Sequence, residues 1–319
     1  MSAQLLIHNG SKIFEPAVHE GITWTTERFG SPGKLVFKVH IDDVLDIKEG
    51  NAVEFMWDGY KIFYGFIFTK QRDKEPTYTI TAYDQLRYLK NKDTYVYENM
   101  TASDVVKMIC NDFELQAGNI EDTKYRIASR VEDSQTLYDI IGNALDITLS
   151  NNKYMYILYD NYGKVTLKGI DSMNVSILID EETGQNFDYQ SSIDEATYNK
   201  IKLIYDNEET GQRDVYIAQD SSHMNEWGVL QYYDSLSEGE NGAAKVNALL
   251  ELYNQKTRKL TIKEAFGDCR VRAGSLIGVV MDLGDVKLKN NMLVETCEHT
   301  FRLDEHTMTL KLKGGEFVA

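Results

Sequence analysis

A pattern of three strands occurs twice in this chain, once near residue 50 and again near residue 274, and this repeat narrows the folds open to it. In the first copy Gly50 precedes an alternating strand over 52–57, a turn at Asp58-Gly59, a strand over 60–68, a polar loop and a strand over 78–83. In the second, Gly274 precedes a strand over 275–281, a turn at Leu283-Gly284-Asp285, a strand over 292–300, a polar loop and a strand over 307–313. Asp-Gly between apolar runs signals a hairpin, because glycine accepts the positive φ of a type I′ turn. Two such units predict two related β-barrels. A duplicated scaffold without evident catalytic chemistry predicts a structural part.

The 319 residues suit two or three domains. No run of about 18 apolar residues is present, so no transmembrane helix is expected. Residues 1–10 lack a basic start followed by a long apolar stretch, so no signal peptide is expected. Cys110, Cys269 and Cys297 are too few and too scattered for a disulfide framework, which predicts a protein made and kept in a reducing cytoplasm. With 50 acidic against 34 basic residues the net charge is -16, which repels a phosphate backbone and argues against nucleic-acid binding. Only three prolines occur and no Gly/Ser- or Pro-rich linker, so the segments are expected to touch closely.

Along the chain the patterning predicts an α+β fold, mainly β, in three segments. Residues 1–92 form an N-terminal β-barrel, 93–190 an α/β middle domain, and 191–319 a C-terminal β-barrel with a helical insertion around 241–257. In the first segment, Leu35, Phe37 and Val39 alternate with polar or outward neighbours, and 62–68 is apolar on both faces, as in a buried strand. Gly65 within that run marks a bulge or a sharp bend. In the middle, Thr101-Ala102-Ser103-Asp104 reads as a helix start, followed by Val105, Val106, Ile109, Cys110 and Phe113 at helical spacing. A second helix is predicted from near Ser134, with Leu137, Ile140, Ile141, Ala144 and Leu145 on one face. Strands over 154–159 and 165–168 follow, then a long hairpin of 198–205 and 213–219 around the polar loop 206–211.

Several groups of residues are candidate sites. Cys297 and His299 share one face of a strand, with Cys269, Glu298 and His306 in the same module. Two soft ligands at that spacing begin a zinc site, but no C-x-x-C or H-x-x-x-H accompanies them, and the plainer reading is a packed Cys beside a surface His. The acidic loops Asp180-Glu181-Glu182 and 206–209 lack the ligand spacing and obligate glycine of a calcium loop, and a glycosidase pair is not testable from sequence. Charged hairpin tips are ordinarily just solvated. No nucleophile elbow, phosphate loop or dinucleotide fingerprint is present. Arg270 and Arg272 fall on one face of a predicted strand, either pairing with acids across a subunit boundary or lying on an exposed edge. The 20 tyrosines, with Tyr232-Tyr233 close after Trp227-Gly228-Val229-Leu230, suit either core packing or a partner interface.

Longer runs carry a family resemblance. They are Thr81-Ala82-Tyr83-Asp84-Gln85-Leu86-Arg87-Tyr88-Leu89 with Lys92-Asp93-Thr94-Tyr95, then Thr197-Tyr198-Asn199-Lys200-Ile201-Lys202-Leu203, Ile217-Ala218-Gln219-Asp220-Ser221 and Trp227-Gly228-Val229-Leu230-Gln231. The closing Glu305-His306-Thr307-Met308-Thr309-Leu310 and Gly314-Gly315-Glu316-Phe317 belong with them. From about residue 24 to 317 the chain resembles the PBSX-type, XkdQ/YqbQ-like tail proteins of contractile phages and defective prophages, related to the late-control-D proteins. The resemblance implies a baseplate hub of two similar barrels with α/β insertions, assembled as a homotrimer. Its implied partners are the tail tube or tube-initiator protein, the central spike and a baseplate wedge or LysM-type tail protein, at the tip of a virion or tail-like particle. A secretion-system or bacteriocin part shares that fold. The resemblance implies no catalytic, cofactor-binding or metal-binding residues and no cofactor. The competing expectation is a cell-wall hydrolase of the tail tip, which calls for an additional catalytic domain.

Overall fold

The structure, a computed structural model, describes residues 2–42, 44–72, 74–207, 211–236 and 241–314. Strands outweigh helices throughout, as in the α+β, mainly β class expected. The chain forms two compact units, one built from 1–187 with 261–312 and the other centred on 188–260.

The first unit begins with seven strands: β1 (Ala3–Asn9), β2 (Lys12–Phe14), β3 (Ile22–Glu27), β4 (Lys34–His40), β5 (Ala52–Trp57), β6 (Tyr60–Arg72) and β7 (Thr77–Tyr83). They pair antiparallel in the order β3-β4-β7-β6-β5-β1-β2. Strict alternation puts Leu35, Phe37, Val39, Val53, Phe55 and Trp57 inward with Ile7, Trp24 and Ile67. Each fully buried side chain of this size contributes about 1.5–3 kcal/mol. In β6 the second face is half-covered too, as Phe66 and Phe68 meet Tyr88 of the 3-10 turn Gln85–Lys90. Gly65, expected as a bulge or a sharp bend, pairs in register with Val53, and the register slips on either side of it, between Lys61 and Phe63 and between Ile67 and Thr69. A Cβ at Gly65 would collide with the Tyr83 carbonyl, so the glycine permits close backbone approach.

Next come β8 (Lys92–Thr101), α1 (Ala102–Asp112), β9 (Ala117–Ile120), β10 (Arg126–Thr136), α2 (Leu137–Asn152), β11 (Tyr156–Asp160) and β12 (Val165–Gly169). Thr101 caps α1 in a full capping box with Asp104, as the sequence predicted. α2 starts later than expected. Ser134 still lies in β10, which runs on until Thr136 pairs with Lys92, and Thr136 then caps the helix by accepting the Asp139 amide. Val105, Val106 and Ile109 of α1 pack with Ile140, Ile141 and Ala144 of α2 and with Leu158 and Leu167.

After β13 (Asn174–Ile179) the chain passes into the second unit within β14 (Gly184–Ser192). That unit holds β15 (Lys200–Asn207), β16 (Gln212–Gln219), α3 (Ser221–Trp227), β17 (Gln231–Ser235) and α4 (Gly242–Tyr253). Its sheet runs β16-β15-β17, and Ile201, Leu203, Leu236 and Val246 form its core beneath α4. Asn241 caps α4 at the predicted start. The chain returns within β18 (Thr257–Phe266) and finishes the first unit with β19 (Leu276–Asp282), β20 (Lys287–Phe301) and β21 (His306–Lys313).

The predicted duplication is present down to its hydrogen bonds. Gly50 has φ +86° and Gly274 φ +89°. The Gly50 amide donates to Ile67 O and the Ile67 amide to Asn51 O; the Gly274 amide donates to Val294 O and the Val294 amide to Ser275 O. In each copy the residue after the glycine folds back over three positions. Asn51 N donates to Lys48 O while Asn51 Oδ1 accepts from Lys48 N, and Ser275 N donates to Arg272 O while Ser275 Oγ accepts from Arg272 N. The two copies belong to one sheet, because the far half of β20 pairs antiparallel with β3 from Thr296↔Glu27 to Phe301↔Ile22.

The first unit gathers 1–92, nearly all of the middle segment and the last strands. Buried polar bonds tie these parts together. Gln85 donates to Gly163 O and accepts from the Gln116 amide, and Arg272 donates to Asp160 O at 2.9 Å.

Candidate functional site

Four of the residues singled out from sequence meet in the first unit. Cys297 and His299 project from one face of β20, and His306 opens β21 beside them. His299 Nε2 lies 2.9 Å from Val271 O, so it carries the proton and donates. In the neutral ring Nδ1 is then the acceptor, and it takes the Nε2–H of His306 at 2.8 Å. His306 Nδ1, left as an acceptor, faces the Cys269 thiol at 3.9 Å, and Cys297 Sγ is 3.1 Å from His299 Nε2. The 2.8 Å contact needs a single proton between the two rings, and with both imidazoles neutral the donors run in one direction.

The electrostatics agree. Burial, then the neighbouring His306, brings His299 down to about 3; burial brings His306 down to about 4. Burial raises the Cys269 thiol to about 11 and pushes Cys297 up further. A protonated thiol is neither the nucleophile nor the ligand that a reactive cysteine must be. Glu298 stays apart on the opposite face of the strand, accepting from Thr25. Among the described residues no group of three or more His, Cys, Asp or Glu is arranged to hold a metal ion. The surface His expected from sequence is instead a buried one. His299 stacks with Trp24 and Phe301, and His306 with Phe301, which leaves His299 fully buried and His306 9% exposed.

Arg270 and Arg272 part company. Residues 267–275 form turns and irregular backbone rather than the predicted strand, because Asp268 and Ser275 fold the segment through side-chain bonds to the amides of Arg270 and Arg272. Arg270 is exposed and grips Asp268, with Nη2 at 2.6 Å. Arg272 turns inward, its guanidinium 4.3 Å from the Tyr159 ring centroid and 5.6 Å from that of Trp24. Beside it lie two carboxyls that sequence reasoning missed. Asp84 accepts from the amides of Gly33 and Leu86 at 2.8 and 3.0 Å, and Asp160 from that of Gly163 at 2.6 Å. Burial, with Asp160 nearby, holds Asp84 well above the usual carboxylate range, and burial lifts Asp160 to about 6. The legible signal was position. Each Asp ends an alternating strand and opens a turn, where a short side chain bonds to nearby backbone amides.

The other candidates are local. Asp180 closes its own turn by accepting the Glu182 and Thr183 amides, and Glu181 accepts the Asp282 amide at 3.1 Å. Asp206 pairs with Arg213, while Glu208, Glu209 and Thr210 of that loop lie outside the described residues. In the second unit Trp227 stacks on His223, and Tyr232 packs with Tyr198 and Tyr253, whereas Tyr233 faces solvent. The buried cluster thus positions backbone: four separated segments are held by hydrogen bonds to Asp84, Asp160, Arg272 and the histidine pair.

Comparison with known proteins places this geometry. The family model described as YqbQ-like matches residues 22–313. The chain is 32% identical over 306 residues to YqbQ, an uncharacterized protein of Bacillus subtilis (strain 168), across 92% of this chain and 91% of that protein. It is 33% identical over 307 residues to the phage-like element PBSX protein XkdQ of the same strain, with the same coverage. The 43 kDa tail protein of prophage MuSo2 from Shewanella oneidensis superposes with a TM-score of 0.70 at 13% identity, over 99% of this chain and all of that one. The E. coli c3393 protein, a component of the type VI secretion system with structural similarity to the T4 bacteriophage tail proteins gp27 and gp5, gives 0.55 at 10% identity, over 99% and 78% of the two chains. At these identities the two structures show a shared fold.

Proposed function

The chain belongs to the YqbQ-like family, and on that premise we propose that it is a structural protein of a phage tail or tail-like particle, the hub of its baseplate. In this reading three copies assemble into a ring that joins the sixfold tail tube, or its initiator, to the threefold central spike, with a wedge or LysM-type tail protein as a further neighbour. The observation that carries it is the internal duplication. Two equivalent three-strand units per chain, with the same glycine conformation and the same hydrogen bonds, give six per trimer, which matches sixfold symmetry on one side and threefold on the other. In this proposal each unit is the kernel of one barrel, and 93–190 is the inserted α/β module. The chemistry of the buried cluster supports a scaffold role, with thiols protonated and histidines neutral. The net charge of -16 suits the wall of a channel through which anionic DNA passes without sticking.

The test is the absolute mass of the purified chain by light scattering on a sizing column, together with co-purification of the neighbouring tail proteins. A mass near three times 36.5 kDa, with capture of tube and spike proteins, is the expected result. A monomer that captures neither partner overturns the hub reading. Clearing of peptidoglycan by the chain alone in a zymogram overturns the non-enzymatic role.

A further inference from the structure

Among the described residues, each unit carries an exposed apolar surface on one sheet face, and the two surfaces are opposite in charge. In the second unit α4 covers one face of the three-stranded sheet. The other face presents Val215 and Ile217 of β16, 49% and 53% exposed, and Tyr233 of β17, 54% exposed. Between them, on the middle strand, Lys202 is registered against both Ile217 and Tyr233. Its amino group lies 5.8 Å from the Tyr233 ring centroid. In the first unit the β8–β10 ribbon turns Tyr97 and Ile127 toward the helices and leaves its outer face bare. There Val96 and Val131 stand directly opposite one another, each 68% exposed. Two positions along the same face from Val96 lie Glu98 and, on the other side, Thr94, whose hydroxyl donates to Asp133 of β10 at 2.9 Å.

A ring of identical chains is closed by heterologous contacts, so each copy must carry two different patches that fit one another. In a chain of net charge -16, neighbouring copies repel unless a basic patch meets an acidic one. Lys202 amid three large apolar side chains, and a valine pair flanked by two carboxylates, form such a couple: an apolar centre for binding and opposite charge for register. We propose that the open sheet face of the second unit docks on the β8–β10 ribbon of a neighbouring copy of this chain, and that this contact is the seam of the ring. The proposal rests on the trimeric reading and supplies its interface.

Charge reversal tests it. Lys202→Glu and Glu98→Lys are each expected to dissociate the oligomer to monomer by light scattering, and the double variant to recover it. Val131→Asp is expected to dissociate it without recovery by either charge change. All three positions lie on strand faces open to solvent, so an unchanged circular dichroism melt checks that the fold is intact. A trimeric wild type whose mass none of the variants alters, or singles that dissociate without recovery in the double variant, overturns this seam and leaves the trimeric hub standing. A wild type that is monomeric at every loading concentration, alone and with its tail partners, overturns both.

Discussion

The two equivalent glycines allow backbone strain to be separated from packing. Gly50 and Gly274 share a φ near +90° and the same hydrogen bonds, but their surroundings differ. A Cβ on Gly50 meets nothing within 4 Å, whereas one on Gly274 would press into the Cγ2 methyl of Ile157, with that side chain's Cβ and Cγ1 at 3.4 Å. Ile157 is itself fully buried, so it can yield only by repacking its neighbours. Placing an L-residue in the left-handed region costs roughly 1–2 kcal/mol. The smaller entropy of an unfolded Ala chain returns about 0.4–1 kcal/mol of that. Gly50→Ala is therefore expected to lose about 1 kcal/mol. Gly274→Ala adds overpacking worth roughly 1–3 kcal/mol, for a total near 3 kcal/mol. At about 2–4 °C per kcal/mol for a unit of this size, the melting temperature falls by a few degrees in the first variant and by roughly 6–12 °C in the second. Thermal melts and urea midpoints of both variants measure this directly. Equal losses at the two positions would refute the packing argument, and no loss at either would refute the claim that the repeat depends on its glycine geometry.

The histidine pair makes stability depend on pH. The folded pKa of His306, about 4, lies below its unfolded value, so the unfolded chain binds more protons and stability is full above about pH 6.5 and falls as the pH drops toward 4. After allowance for solvent screening this is worth roughly 2 kcal/mol. His306→Phe should be less stable than the parent at pH 7.5, because His299 Nδ1 loses its donor, and the deficit should shrink by pH 4.5; urea melts showing a constant deficit would contradict the neutral-pair assignment. Thr136→Ala removes the cap of α2 and is expected to cost about 1 kcal/mol by the same assay, an effect that Thr136→Ser should largely restore.

What was legible along the chain was local. The period-two pattern of β4 and β5, the capping box of α1 and the start of α4 follow from how each residue meets its own backbone, and the structure repeats them with small shifts. The duplication was readable for the same reason, since a glycine at positive φ ahead of a hairpin leaves a mark at fixed spacing. The late start of α2 was not readable, because Gln135 pairs with Asp93 and the Ser134 amide donates to the Thr94 hydroxyl, both on a strand some forty residues earlier. The β8–β10 ribbon was missed altogether: one of its faces is bare, so hydrophobic periodicity reports it weakly.

For the buried cluster, the sequence by itself determined which side chains share a face, and it put Cys297 and His299 together on one strand. Only the tertiary structure decided that His306 and Cys269 complete a directional chain with them, and that Arg272 turns inward toward Trp24, Tyr159, Asp84 and Asp160 while Arg270 stays in water. Alternation fixes the direction of a side chain relative to its own strand. What it meets there, and whether water can follow, depend on register and burial between segments about 270 residues apart, as in the pairing of β20 with β3 from Thr296 to Phe301. That long-range choice is what converts a zinc-like pattern of cysteine and histidine into an uncharged element of the scaffold.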